Sequence, residues 1–237
     1  DGYTLLGGAN YNRFVRVLGH ADFVPWEEWV PMKAANALAS WSVRKDSPFE
    51  TMEDAIAAAK ANPGSVSIST SGTGGVWHEL ALIVANIAGM ELKYVPYKGG
   101  KAATTGVLSN EVEIGFLGMP PAISLIASGD LVALSVSSQE RSPILPDVPT
   151  LNESAVPGYV AEAWYGLFMP KGTPQDIVDT VNAAANAALG NPVVSERFAN
   201  KGAVVQTSTP QEFADFVGSE SARWKEKLEG LGLAGTR

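Results

Sequence analysis

The segment Thr70-Ser71-Gly72-Thr73-Gly74-Gly75 holds the residues of this chain whose types and spacing best suit a chemical task. It stands between an expected strand at 65–70 and an expected helix at 76–88. Glycines let a backbone approach a ligand closely, and a helix start leaves N–H donors unpaired with a partial positive charge. An anionic oxygen is the natural guest for such a turn, and the Ser71 and Thr73 hydroxyls add donors. The same residues also read as a cap and a turn with no ligand. His78 lies about one turn into the helix, where a packed or capping ring and a ligand contact are both open readings. Gly7-Gly8-Ala9-Asn10 and Tyr97-Lys98-Gly99-Gly100 are two more small polar turns at strand ends, with the Lys98 ammonium read as solvated.

Signatures of enzymes fail one by one. Gly100-Lys101 resembles the end of a phosphate loop, but Ala102 replaces the Ser/Thr and Val95 stands where the leading Gly belongs. Gly72 and Gly74 begin a dinucleotide pattern that Trp77 breaks. No serine has the flanking glycines of a nucleophile elbow. Glu27-Glu28 and Glu111/Glu113 are carboxylate pairs, the latter read as solvated on a strand edge. With two histidines and no cysteine, a Cys/His zinc site and a cysteine nucleophile are both excluded. Neither a cofactor nor a metal is expected, and the chain is read as a binder rather than an enzyme.

Composition narrows the partners. The 237 residues carry 17 basic and 25 acidic side chains, a net charge of −8. That balance lacks the basic face that nucleic acid requires. A 46% apolar and 18% charged chain is ordinary for a globular protein. No run of 18 apolar residues exists, so direct membrane insertion is not expected. The chain opens Asp1-Gly2-Tyr3 without a charged or apolar leader, so any export signal is not in this sequence.

The elements that must position these turns follow from local patterns. A short strand at 4–6 stops at Gly7-Gly8, 9–34 is irregular, and 35–43 is one strand. Thr51 and Asp54 form a capping box for a helix over 51–61. Strands at 65–70, 92–95, 112–116 and 131–136 then alternate with helices at 76–88, 101–108 and 121–127, the pattern of βα units on a parallel sheet. Gly89 closes the helix at 76–88. One more strand runs over 163–169. Thr173-Pro174-Gln175-Asp176 and Thr209-Pro210-Gln211-Glu212 both read as Thr caps with Pro at the first helical position. The helices they open would bury Ile177, Val181, Ala184 and Ala188, and Phe213, Val217, Trp224 and Leu228.

The opening Asp1-Gly2-Tyr3-Thr4-Leu5-Leu6, the Ser71–Gly75 turn with His78, and Val95-Pro96-Tyr97-Lys98-Gly99 together resemble one family, in order across essentially the whole chain. So do Arg141-Ser142-Pro143, Leu145-Pro146-Asp147-Val148-Pro149-Thr150, Trp164-Tyr165-Gly166-Leu167-Phe168 and Gly172-Thr173-Pro174. The family is the periplasmic solute receptors of tripartite tricarboxylate transporters, the Bug/TctC type. The resemblance implies an α/β, two-lobed type II periplasmic-binding-protein fold, with lobes joined by crossing strands at 35–43 and 163–169. Lobe 1 would comprise 1–43 and 166–237, and lobe 2 44–165. The implied ligand is a small organic carboxylate (di- or tricarboxylate, or aromatic) held in the inter-lobe cleft, and the implied partners are the transporter's membrane subunits. The implied ligand-binding residues are Asn10, Ser71, Gly72, Thr73, Gly74, Gly75, His78, Tyr97, Lys98, Gly99, Leu117, Gly118 and Trp164. The implied location is the periplasm.

Two departures from the family pattern accompany the resemblance. Relatives begin with a strand, a glycine-rich loop and a helix that this sequence does not contain, so lobe 1 is expected to be N-terminally incomplete. Leu117 stands where many relatives carry an aspartate, which disfavours amino acids and favours plain or aromatic carboxylates that could stack near Trp164 or Trp77. A hydrolase or transferase on a similar scaffold is the alternative; it would need a nucleophile–base pair, and the only histidines are His20 and His78. The sensing half of a gene regulator is a further rival, and it would need a DNA-binding helix-turn-helix.

Overall fold

The structure, a computed structural model, describes residues 4–9, 28–73, 75–160 and 163–230. In chain order its elements are β1 (Leu6–Ala9), β2 (Trp29–Ala37), β3 (Ala39–Arg44), α1 (Met52–Ala61), β4 (Ser67–Thr70), α2 (Val76–Ala88), β5 (Lys93–Pro96) and α3 (Gly100–Leu108). There follow β6 (Ile114–Gly118), α4 (Met119–Ala127), β7 (Leu131–Val136), β8 (Ala163–Pro170), α5 (Gln175–Leu189), α6 (Pro192–Ala199), β9 (Ala203–Val205) and α7 (Pro210–Gly230). The chain divides into two compact units, Asp1–Asn36 with Ala163–Arg237, and Ala37–Glu162.

The first unit holds a four-stranded sheet in the order β1-β8-β2-β9. Gly7 and Gly8, read from sequence as the end of a strand, lie inside β1 and pair antiparallel with Leu167 and Gly166 of β8. β2 occupies a stretch read as irregular and runs to Ala37; the single strand expected over 35–43 is broken at Leu38 into β2 and β3. The core of this unit packs Trp164 and Phe168 of β8 against Phe213 and Val217 of α7. Trp164 stands edge-on to Phe213, with ring centroids 5.1 Å apart at 85°. A Cβ on Gly166 would lie 2.7 Å from the Phe213 ring and 2.8 Å from the Met32 carbonyl oxygen, so the absent side chain is what lets α7 and β2 close on β8.

The two Thr-Pro motifs part company. Thr209 Oγ1 accepts the Glu212 N–H at 3.2 Å and Glu212 Oε2 accepts the Thr209 N–H at 2.8 Å, a reciprocal cap for α7. These hydrogen bonds hold the Glu212 carboxyl below the usual carboxylate range, with the Thr209 N–H the largest cause. Thr173 instead donates its hydroxyl to the Pro170 carbonyl at 2.7 Å, and α5 starts one residue later than expected, with Pro174 at its cap position and no side-chain cap. The buried stripe of α5 shifts with it to Val178 and Leu189. In α7, Phe213 and Val217 are buried as expected, while the side chains of Trp224 and Leu228 lie outside the described residues.

The second unit holds a five-stranded sheet in the order β5-β4-β6-β3-β7. β4 pairs parallel with β5 and β6. β3 enters antiparallel between β6 and β7, so the sheet is mixed rather than wholly parallel. All of β3 thus belongs to this second sheet, and the chain passes between units ahead of it, at Asn36/Ala37, where the sequence reading had placed the passage after Val43. α1 carries the expected box, with the Thr51 side chain accepting from the Asp54 N–H and Asp54 accepting from the Thr51 N–H. α2 ends on Gly89 at φ 66, the left-handed closure its sequence predicted. On one face of the sheet Leu117, Ala103, Val107, Val112, Ala122 and Leu131 form a closed apolar cluster with α3 and α4. On the other, Trp41 packs on Phe116 with centroids 5.1 Å apart, and Trp77 of α2 meets Phe116 edge-on at 5.7 Å.

Candidate functional site

The starts of α2 and α3 adjoin at the carboxyl ends of β4 and β5. The Tyr97 N–H donates to the Thr70 carbonyl at 2.9 Å, tying the end of β5 to the end of β4. Gly72 has φ +135, a conformation that side chains rarely adopt, and a Cβ there would lie 3.8 Å from the Tyr97 carbonyl. The Gly75 N–H closes the turn on the Gly72 carbonyl at 3.3 Å. β4 leads through α2 toward β5, and β6 leads through α4 to β7 in the opposite direction, so the turn after β4 sits beside a topological switch point. That is where open α/β sheets hold ligands.

Neither helix start has a side-chain cap. Gly75 caps α2 and Gly99, at φ 93, caps α3, each without a side-chain hydrogen bond. By contrast, α1, α6 and α7 are capped by Thr51, Asn191 and Thr209. The first hydrogen bonds made by these two helices come from the Glu79 N–H to Gly75 and from the Ala103 N–H to Gly99. Among the described residues the N–H groups of Val76 and Trp77 in α2, and of Gly100, Lys101 and Ala102 in α3, therefore have no acceptor. Those donors, with the fields of two helix ends, form a seat for negative charge. α3 also lacks the acidic residues that normally soften a helix start, and carries Lys101 there with exposed Lys98 just ahead.

The sequence-predicted residues distribute unevenly around this seat. Ser71, Gly72 and Thr73 precede the start of α2, which Gly75 caps, and exposed Lys98 precedes Gly99, the cap of α3. His78 is half-buried in the first turn of α2, its ring 5.2 Å from Tyr94, and burial pushes its pKa down. Tyr97 contributes main chain only. Its ring lies across Gly106, where a Cβ would clash with the hydroxyl oxygen, and that hydroxyl donates to Glu111 Oε2 at 3.0 Å. Burial first, then this hydrogen bond and the Glu111 charge, raise the Tyr97 pKa. Glu113 binds Ser67, accepting its N–H at 2.8 Å and its hydroxyl at 3.0 Å, so the pair read as solvated is engaged on two separate partners.

Three further expected residues are buried or supply room rather than donors. Leu117 is 1% exposed and buried in the α3–α4 cluster. Trp164 is 1% exposed in the core of the first unit. Gly118 begins α4, but that start offers few donors: Leu38 takes the Met119 N–H at 3.2 Å, and Pro120 and Pro121 have none. What Gly118 supplies is room, because a Cβ there would lie 3.0 Å from Trp77 Nε1. Asn10 and Gly74 lie outside the described residues. Val76, Lys101 and Ala102 were not among the residues expected from sequence; what they bring is a main-chain N–H, which carries no side-chain signal. Among the described residues no group of three acidic or histidine side chains is arranged to hold a metal, and no helix is long and apolar enough to cross a membrane.

The family signature of the tripartite tricarboxylate transporter family receptor, TctC, matches residues 1–233. The chain belongs to that receptor family. BugT of Bordetella pertussis is 31% identical over 228 residues, an alignment covering 94% of this chain and 70% of that protein. The periplasmic binding protein BugD superposes with a TM-score of 0.90 at 26% identity, over 99% of this chain and 80% of that one. An R. palustris protein solved with adipate superposes with a TM-score of 0.90 at 27% identity, over 99% of this chain and 79% of that one. The two-sheet α/β architecture of this TctC receptor is thus the fold of periplasmic binding proteins, and its relatives are solute receptors.

Proposed function

We propose that the protein captures a small organic carboxylate on the adjoining starts of α2 and α3, without converting it, and presents it to the membrane subunits of a tripartite tricarboxylate transporter in the periplasm. The observation that carries this reading is the set of five N–H groups, Val76, Trp77, Gly100, Lys101 and Ala102, that have no acceptor among the described residues, at two helix starts that lack side-chain caps. Ser71 and Thr73 hydroxyls and the Lys98 ammonium would add donors around the same anion. Hydrogen bonds to a charged acceptor contribute about 1.5–3 kcal/mol each. Three or four of them reach about −8 kcal/mol, a micromolar affinity. The adipate-bound relative supports the ligand class, the family supports the partner, and the periplasmic binding protein BugD supports the compartment.

A thermal-shift screen of mono-, di- and tricarboxylates tests the proposal. A cognate acid at 100 times its Kd should stabilise the protein by about 2.7 kcal/mol. Uncharged amides of the same acids should give no shift. Equal shifts from acid and amide would contradict an anion seat.

A further inference from the structure

Resting on that reading, we infer that Trp77 selects the body of the ligand, and that the preferred class is an aromatic carboxylate. Trp77 is the second residue of α2, so its own N–H is one of the unaccepted donors. Side chains on a helix lean toward its N-terminus, which brings the indole back to the end of α2 where the carboxylate would sit. The indole has a defined floor. It lies across Gly118, with a Cβ there 3.0 Å from Nε1 and 3.3 Å from Cε2 and Cζ2, and it meets Phe116 edge-on at 84°. Trp77 is only half-buried, so part of the residue stays accessible.

Among the described residues, three other aromatic groups near this end of the sheet are committed. The Tyr97 ring is seated on Gly106 with its hydroxyl on Glu111, and Trp41 and Phe116 are fully buried. Leu117 faces the α3–α4 core and reads nothing. The indole therefore offers a flat, polarisable wall to whatever hangs from a carboxylate bonded to α2. An aromatic ring gains both burial and an edge-to-face or offset contact there, continuing the perpendicular relation that Trp77 already has with Phe116.

Calorimetric titration with benzoate and cyclohexanecarboxylate separates ring chemistry from ring size, because both are monoanions near pH 7.5. In the unmodified protein benzoate should bind about tenfold more tightly. Trp77→Phe should keep most of that ratio, whereas Trp77→Ala should bring it close to one. Gly118→Ala, which pushes the indole off its floor without removing it, should also reduce the ratio and serves if Trp77→Ala fails to fold. A ratio near one in the unmodified protein, or a ratio that survives Trp77→Ala, overturns the inference. So does binding of adipate with no binding of either ring acid, which leaves the anion seat standing. Failure of every acid removes the seat and the inference together.

Discussion

Gly75→Asp should weaken carboxylate binding by at least about a hundredfold, about 2.8 kcal/mol, while leaving the ligand-free protein as stable as before or slightly more so. Gly75 is the cap residue of α2 with φ −80, an ordinary conformation for any side chain. A Cβ there comes 3.4 Å from the Gly72 carbonyl and 4.0 Å from Ser71 Oγ, inside the turn but without a severe clash. From a cap position an aspartate reaches the N–H groups two and three residues on. The introduced carboxylate would therefore occupy the donors that the ligand needs, and its charge would repel the incoming anion. Capping residues outperform glycine by a few tenths of a kcal/mol, so stability and affinity should move in opposite directions. Urea unfolding and calorimetry on the same preparation check both signs. A variant that binds as tightly as the parent would show that the ligand does not use the start of α2.

Trp164→Ala should lower the stability of the first unit by about 3–5 kcal/mol, whereas Trp164→Phe should lower it by no more than about 1.5 kcal/mol. The indole is fully buried in one cluster with Phe168, Phe213 and Val217, so truncation to alanine leaves a cavity among bulky rings. Phenylalanine keeps the edge-on contact with Phe213 and removes an indole N–H that is buried without an acceptor. An orphaned donor of that kind carries a desolvation cost of about 1–3 kcal/mol, which offsets the lost volume. Urea midpoints with unchanged slopes provide the comparison. Equal losses for both substitutions would mean that the N–H finds a partner in solution.

Local signals were legible in the sequence wherever one residue answered to its neighbours along the chain. Thr51 with Asp54, Thr209 with Glu212, and Gly89 at the close of α2 each did so. Signals that depend on another strand were not. Thr173 has the same sequence context as Thr209, yet the turn after β8 offers it the Pro170 carbonyl and it donates there. β2 has a proline and no alternation, and is held as a strand by β8 and β9 on either side. The inside position of Leu117 was hidden because all five residues of β6 are buried, which removes the alternation that distinguishes faces. The turn at Ser71–Gly75 was visible from its glycines. The start of α3 beside it, and the seating of Trp77 on Gly118, arise only when distant segments meet.

The most direct measurement of the anion seat is an amide NMR titration of the uniformly 15N-labelled protein with a carboxylate that binds. The resonances of Val76, Trp77, Gly100, Lys101 and Ala102 should move downfield together with a single dissociation constant, as N–H groups that now donate to a charged acceptor. If those five amides stay in place while others shift, the carboxylate sits elsewhere and the assignment of the seat to the starts of α2 and α3 is contradicted.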